Sequence, residues 1–399
     1  MILSKKIEQF NFFYIGLIIL WPVIKSVFFN IDGANRLETI FSAIAVLVNA
    51  KYILKCPKAF FFWMAWVAFN LINTHFKGFY VEGYPYSVWA PYRLFVPMIV
   101  MFITYHTALS CRRDLYRYLA YCFLLYIILG VMGFASSETY DSIRYSNDLG
   151  NFYLNTLILS ATYAAICYFK KNIPTSIVYV LLILSFGVIA LSGERKGFLA
   201  LLVIIFGFFY AKNLGKGFKT TIGLVLLAIV SYVGVGFLME YTTAGQRMAF
   251  SMEYNTQYAD NLFLKLMGDR AFMYAEGWIC FLNNIWTGIG LMNAYLIVGG
   301  TMFHTEYMVQ LTECGLIGSS LFLAFYISMI MRCIKLMNDS TVKKMGYILS
   351  FTLLAIILIN FVAWSYDNTF YFMFFGILFA ESDKIIRNNY STNKRFLRI

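Results

Sequence analysis

The chain has 399 residues, of which 60% are hydrophobic and 13% charged, with a formal net charge of +12. A soluble domain carries about 25% charged residues, and a single water-soluble core of this composition would leave large apolar surfaces exposed. Apolar runs of roughly 17–25 residues recur along the chain, each long enough to cross about 30 Å of hydrocarbon as a helix, and they lack the period-two alternation of a lipid-embedded barrel.

In chain order the predicted spans are 11–29, 37–54, 59–74, 91–109, 115–134, 151–169, 175–192, 197–211, 220–239, 315–333, 346–364 and 369–381. The first run has no detached polar region and no small-residue cleavage site, so it reads as a membrane helix and not as a signal peptide. The expected fold class is therefore all-α, a polytopic integral membrane protein with about twelve transmembrane helices and a large loop between the ninth and tenth, which the family resemblance below implies to be periplasmic. Three units follow: an N-terminal helix bundle over 1–239, the loop with short helices over 240–314, and C-terminal helices with a cytoplasmic tail over 315–399.

Charge alternates with the spans. If Lys5 and Lys6 are cytoplasmic, the same side collects Lys51, Lys55 and Lys58, then Arg112, Arg113 and Arg117, and later Lys343, Lys344, Lys384 and Arg387. Most of the 32 basic residues fall there, which by the positive-inside rule predicts both termini in the cytoplasm. The opposite side holds most of the acidic residues, including Glu194, Glu240, Glu276, Glu306 and Glu313. Basic residues spread between apolar runs argue against a nucleic-acid partner and for membrane lipids.

The segment from Glu240 to Cys314 is polar and mixed in charge, and it exceeds an ordinary connection, which favours a functional loop. Apolar patches within it, such as Trp278 to Phe281, suit short surface helices. Pro22 and Pro97 lie inside predicted spans as potential kinks. The seven cysteines are scattered through apolar segments and suggest neither a disulfide framework nor a zinc site. No metal or other cofactor is called for.

Three segments carry candidate chemistry. Leu191-Ser192-Gly193-Glu194-Arg195-Lys196-Gly197 is a polar break between apolar runs, where the Arg195 guanidinium can engage two oxygens of a phosphate. The alternative is a plain re-entry turn whose charges mark the interface. Gly268-Asp269-Arg270 precedes Tyr274 and Trp278, and Gly288-Ile289-Gly290 follows. Arg270 is a second candidate anion contact, or one half of a surface pair with Asp269 that contributes little. Arg247 is similar with weaker local context. His304 is followed by Glu306 and by Glu313-Cys314-Gly315-Leu316-Ile317-Gly318. An imidazole there can take a proton from a sugar hydroxyl near neutral pH, or brace the loop.

Over roughly 180–330 these motifs resemble the O-antigen polymerase and O-antigen ligase superfamily. The resemblance rests on Arg195 after its Ser-Gly turn, on Arg270 in a Gly-x-Arg segment, on Gly288-Ile289-Gly290, and on His304 ahead of Gly315-Leu316-Ile317-Gly318. The chain departs from its relatives at Ile285 and Trp286, where they often have Asn-Pro, and at Thr305, where Asn commonly follows the histidine.

The resemblance implies a membrane glycosyltransferase that moves an undecaprenyl-diphosphate-linked glycan onto a sugar hydroxyl at the periplasmic face of a bacterial inner membrane. His304, Arg195 and Arg270 are the expected catalytic residues, with Arg247, Lys196, Glu194, Glu276 and Glu306 as substrate contacts. The arginine turn and late loop look closer to the polymerase branch, which joins repeat units into O-antigen or capsule. A ligase would transfer the same donor to lipid A-core. A flippase and a chain-length regulator are the implied partners. A lipid-linked glycan transporter is the alternative from composition, but the two halves show no matching pair of broken segments.

Overall fold

The computed structural model describes residues 3–25, 28, 36–53, 55–77, 86–111, 114–135, 150–192, 195–216, 270–294, 303, 305–361, 363, 366 and 368–396. Among them are twelve helices and no strand. They are α1 Lys5–Ile24, α2 Arg36–Ile53, α3 Ala59–Lys77, α4 Tyr86–Ser110, α5 Leu115–Ala135, α6 Gly150–Lys170, α7 Thr175–Ser192 and α8 Arg195–Lys212. After these come α9 Arg270–Asn283, α10 Glu306–Asn338, α11 Lys343–Ile359 and α12 Thr369–Phe396.

The predicted apolar runs coincide with these helices; the ninth, 220–239, lies outside the described residues. Lys5–Ile24, Leu115–Met132 and Glu306–Asn338 are long and apolar enough to cross a membrane. The first helix starts earlier than its apolar run because Ser4 caps it, its hydroxyl accepting the Ile7 amide at 3.4 Å, with Glu8 in the first turn. Pro22 sits within its last turn, and Lys25 closes the end by donating to the Pro22 and Trp21 carbonyls.

The longest helix–helix contact is α4 against α12. Next to it, α3 and α10 enclose the aromatic core, where Trp63 and Trp66 stack at 4.5 Å with Phe322, Phe325 and Phe372 around them. A second group packs α6, α7, α8 and α11, and the Thr162 and Thr352 hydroxyls meet within it at 2.8 Å. Asn11, Asn49 and Thr107 join α1, α2 and α4 by buried side-chain bonds of 2.8 to 3.1 Å. Such polar contacts act as glue between helices, each contributing about 0.6 kcal/mol on average.

Two ends of the bundle are tied in different ways. At one, α12 carries Glu381-Ser382-Asp383-Lys384 against α4, α5 and α10. Asp383 pairs with Arg332 and accepts from Tyr105 at 2.7 Å, while Glu381 accepts from Tyr116 at 2.7 Å and pairs with Lys384 at 2.6 Å.

At the other end α10 is broken. Gly315 has φ +60° and ψ −166°, outside helical space. The Asn360 carbonyl accepts the Glu306 amide at 2.9 Å, and its side chain donates to the Tyr326 hydroxyl at 3.0 Å. On a straight helix positions 306 and 326 would stand about 30 Å apart, further than one asparagine and one tyrosine can span. The helix therefore turns back at Gly315, giving a short arm over 306–314 and a long arm over 316–338. The short arm begins ahead of the predicted span 315–333, and its polar residues are buried instead of looping out.

Candidate functional site

A break inside a helix orphans amides on one side and carbonyls on the other. Here the segment 284–290 takes up both. The Leu316 and Ile317 amides donate to the Ile285 and Trp286 carbonyls at 2.7 and 3.1 Å. In return, the Ile289 and Gly290 amides donate to the Thr312 and Glu313 carbonyls at 3.0 and 2.9 Å. Four backbone bonds thus seal the fracture, and each would cost roughly 1–3 kcal/mol if left unmade and buried.

The seam needs glycine at Gly288 and Gly315. Both have positive φ, +66° and +60°, and a Cβ on Gly315 would come 2.6 Å from the Thr287 nitrogen and the Trp286 carbonyl carbon. A Cβ on Gly288 would run into the Glu313 backbone. The Gly-Ile-Gly motif is the part of the loop laid directly against the helix break.

Helix α3 fixes the loop from its other side. Asn73 donates to the Thr287 carbonyl at 2.6 Å, and the Thr74 hydroxyl accepts the Leu291 amide at 2.9 Å. The buried Glu313 carboxylate accepts the Met292 and Ala294 amides at 2.7 and 3.2 Å. One side chain of the short arm therefore holds the stretch after Gly290.

The mouth of the short arm is braced separately. Glu306 is fully buried, with one carboxylate oxygen accepting from Gln310 at 2.7 Å and the other from the Tyr366 amide at 3.1 Å. Gln310 in turn accepts from the Trp66 indole at 2.8 Å, linking the arm to the stacked tryptophans. Thr305 adds a bond from its hydroxyl to the Asn360 carbonyl at 3.2 Å.

The residues singled out in the sequence fall as follows. Arg195 lies on α8 and Arg270 on α9. Their side chains, and Glu194, Arg247 and His304 entirely, lie outside the described residues. Lys196 is half-buried on the first turn of α8, and Glu276 is half-buried on α9. Glu306, expected as a substrate contact, is enclosed and occupied by Gln310 and the Tyr366 backbone. Positions 303 and 305, either side of His304, are both buried.

Helix α9 lies along the short arm. Gly277 faces Met308 and the Phe303 ring, and the Tyr274 hydroxyl donates to the Phe361 carbonyl at 3.2 Å. Burial, and secondarily the neighbouring Glu313 charge, raises the Cys280 thiol above its ordinary range, which suits a packing residue and not a nucleophile. Gln310, Glu313 and Asn360 were not singled out as site residues. Their signal in the sequence is an amide or carboxylate beside or within an apolar run: hydropathy reads Gln310 and Glu313 as loop and passes over Asn360 inside the predicted span 346–364.

The architecture is that of a helical membrane protein with a fractured helix sealed by a glycine loop. Residues 180–323, which contain the loop, the fracture and the candidate arginines and histidine, match the family model described as O-antigen ligase. Over this segment the chain is thus similar to the O-antigen polymerase and ligase superfamily of membrane glycan-processing enzymes, without the branches being separated. A comparison with curated proteins gave no match.

Proposed function

We propose that the chain is a polymerase of undecaprenyl-diphosphate-linked repeat units, building surface polysaccharide at the periplasmic face of the inner membrane. The family match over 180–323, which encloses Arg195, Arg270 and His304 together with the sealed fracture, supports glycan transfer by either branch, and the likeness of the arginine turn and late loop to polymerase relatives favours the polymerase. Arg195 lies on α8 and Arg270 on α9. Their guanidinium groups hold the donor diphosphate and offset the charge that grows on it as the leaving group departs. Lys196, Arg247, Glu194 and Glu276 contribute to the same polar surface, and Glu306 acts by holding the short arm.

In this mechanism His304 takes the proton from the acceptor hydroxyl as that oxygen attacks the anomeric carbon of the donor glycan. The bond from anomeric carbon to phosphate oxygen breaks, the new glycosidic bond forms, and undecaprenyl diphosphate leaves with the electron pair. Holding both lipid-linked reactants at one interface removes much of the entropy cost of their meeting. A flippase to deliver the donor and a chain-length regulator fit this scheme as partners.

The ligase reading has an observation of its own, since the matching family model is described as O-antigen ligase. Purified protein in vesicles, given lipid-linked donor alone and donor with lipid A-core, separates the two by product mass. Donor alone should yield multiples of one repeat mass with release of lipid diphosphate. Transfer only with lipid A-core present would give the assignment to the ligase, and movement of intact donor across the membrane without transfer would give it to a transporter.

A further inference from the structure

Helix α9 presents two unlike faces. Gly277, Cys280 and Phe281 are buried toward the short arm, whereas Trp278, Ile279, Leu282, Ile285 and Trp286 are exposed, the two tryptophans by 51% and 69%. Within α9, Trp278, Ile279 and Leu282 fall at i, i+1 and i+4 on one face, and Ile285 and Trp286 continue the exposed apolar stripe in the turn that follows the helix.

The stripe is continuous with surfaces of the membrane-crossing helices. At its far end Ile285 and Trp286 are bonded through their carbonyls to Leu316 and Ile317, whose side chains are exposed. These begin the outward row Leu316, Ile317, Leu323, Ile327, Ile330 and Ile334 of the long arm, which belongs to a helix long and apolar enough to span a bilayer. Near its start Tyr274 is bonded to the carbonyl of Phe361, an exposed residue just past the end of α11. Helix α9 is thus attached to the start of the long arm of α10 and to the end of α11, at a level set by the turn of α10.

We propose that α9 is an interfacial helix, with its Trp278–Trp286 stripe immersed in the leaflet on the fractured side of the bundle and the lipid hydrocarbon as its occupant. Tryptophans belong at such a boundary, with the ring body in the acyl region and the indole N–H near the headgroups. A helix with one apolar face lies in the interface by burying that face. The proposal is independent of the reaction catalysed: it states what the stripe touches. Part of the segment between the ninth and tenth predicted spans then belongs to the membrane, and the Gly288–Gly315 seam is held at the leaflet surface.

The test uses the full chain in vesicles of phosphatidylcholine with brominated acyl chains, compared with Trp278→Phe, Trp286→Phe and the double variant. The emission lost on substitution is the emission of those two indoles. It should be quenched more strongly by brominated lipid than by aqueous iodide, and each single variant reports its own indole if the double variant fails to fold. Stronger quenching by iodide, or quenching by neither, would overturn the proposal.

Discussion

The two ends of the bundle solve the same problem with different atoms. Where Glu381, Asp383, Arg332, Tyr105 and Tyr116 meet, the helices are joined by side chains, and ionised groups do most of the joining. At the fractured end the main ties are backbone to backbone, between 285–290 and 312–317, and the carboxylates of Glu306 and Glu313 also receive main-chain amides. Side chains can be exchanged for similar ones and keep part of their contact. A backbone seam has no such latitude, because it depends on how closely two chains approach and on φ values that only glycine adopts without strain.

The largest effect should be on turnover alone. His304→Ala should lower glycan transfer by roughly 10²-fold or more, the usual contribution of a general base, while the melting temperature of the purified protein stays unchanged. Arg332→Lys, at the side-chain end, should leave turnover near wild type. Unchanged turnover in folded His304→Ala protein would reject the proposed base. Arg195→Lys should also be damaging, because lysine keeps the charge and loses the planar donor fork.

Next in size is the seam itself. Gly315→Ala or Gly288→Ala should destabilise by about 3 kcal/mol, combining backbone strain with a clash against main-chain atoms, read as a lowered unfolding midpoint in detergent. If either variant melts like wild type, the seam is more pliable than its geometry requires. Glu313→Gln should cost about 2 kcal/mol, since one oxygen that accepted an amide becomes an N–H donor facing it. The smallest effect belongs to the other end: Glu381→Gln keeps an acceptor for Tyr116 and should cost less than about 1 kcal/mol, the partly exposed Lys384 being screened by water. A Glu381→Gln loss exceeding that of Glu313→Gln would reverse the contrast between the ends.

How far the sequence could be read follows the same division. Runs such as 37–54, 175–192 and 197–211 appear as α2, α7 and α8 because their signal is local hydropathy, which a membrane turns directly into helix. The extension of α12 to Phe396 went unread, its last turns being polar. The short arm was hidden for a different reason. Glu306, Gln310 and Glu313 look like loop residues until their partners are known, and those are Tyr366 and Trp66, far away in the chain, and Met292 and Ala294 across the fracture. Gly288-Ile289-Gly290 and Gly315 were visible as motifs, but their pairing across the fracture is a long-range fact. The arginine and histidine candidates came from motif resemblance, and the family match covers all three.

The carbonyls of Ile285 and Trp286 are what the long arm grips, and every amino acid supplies a carbonyl, proline included. The seam therefore makes no demand on the side chains at these two positions. The side chains of both residues point outward, so the same two letters are left free to be rewritten for whatever the surface meets. The outside of the loop at 285 and 286 is thus set by what the surface meets, while the inside is set by the close approach at Gly288 and Gly315.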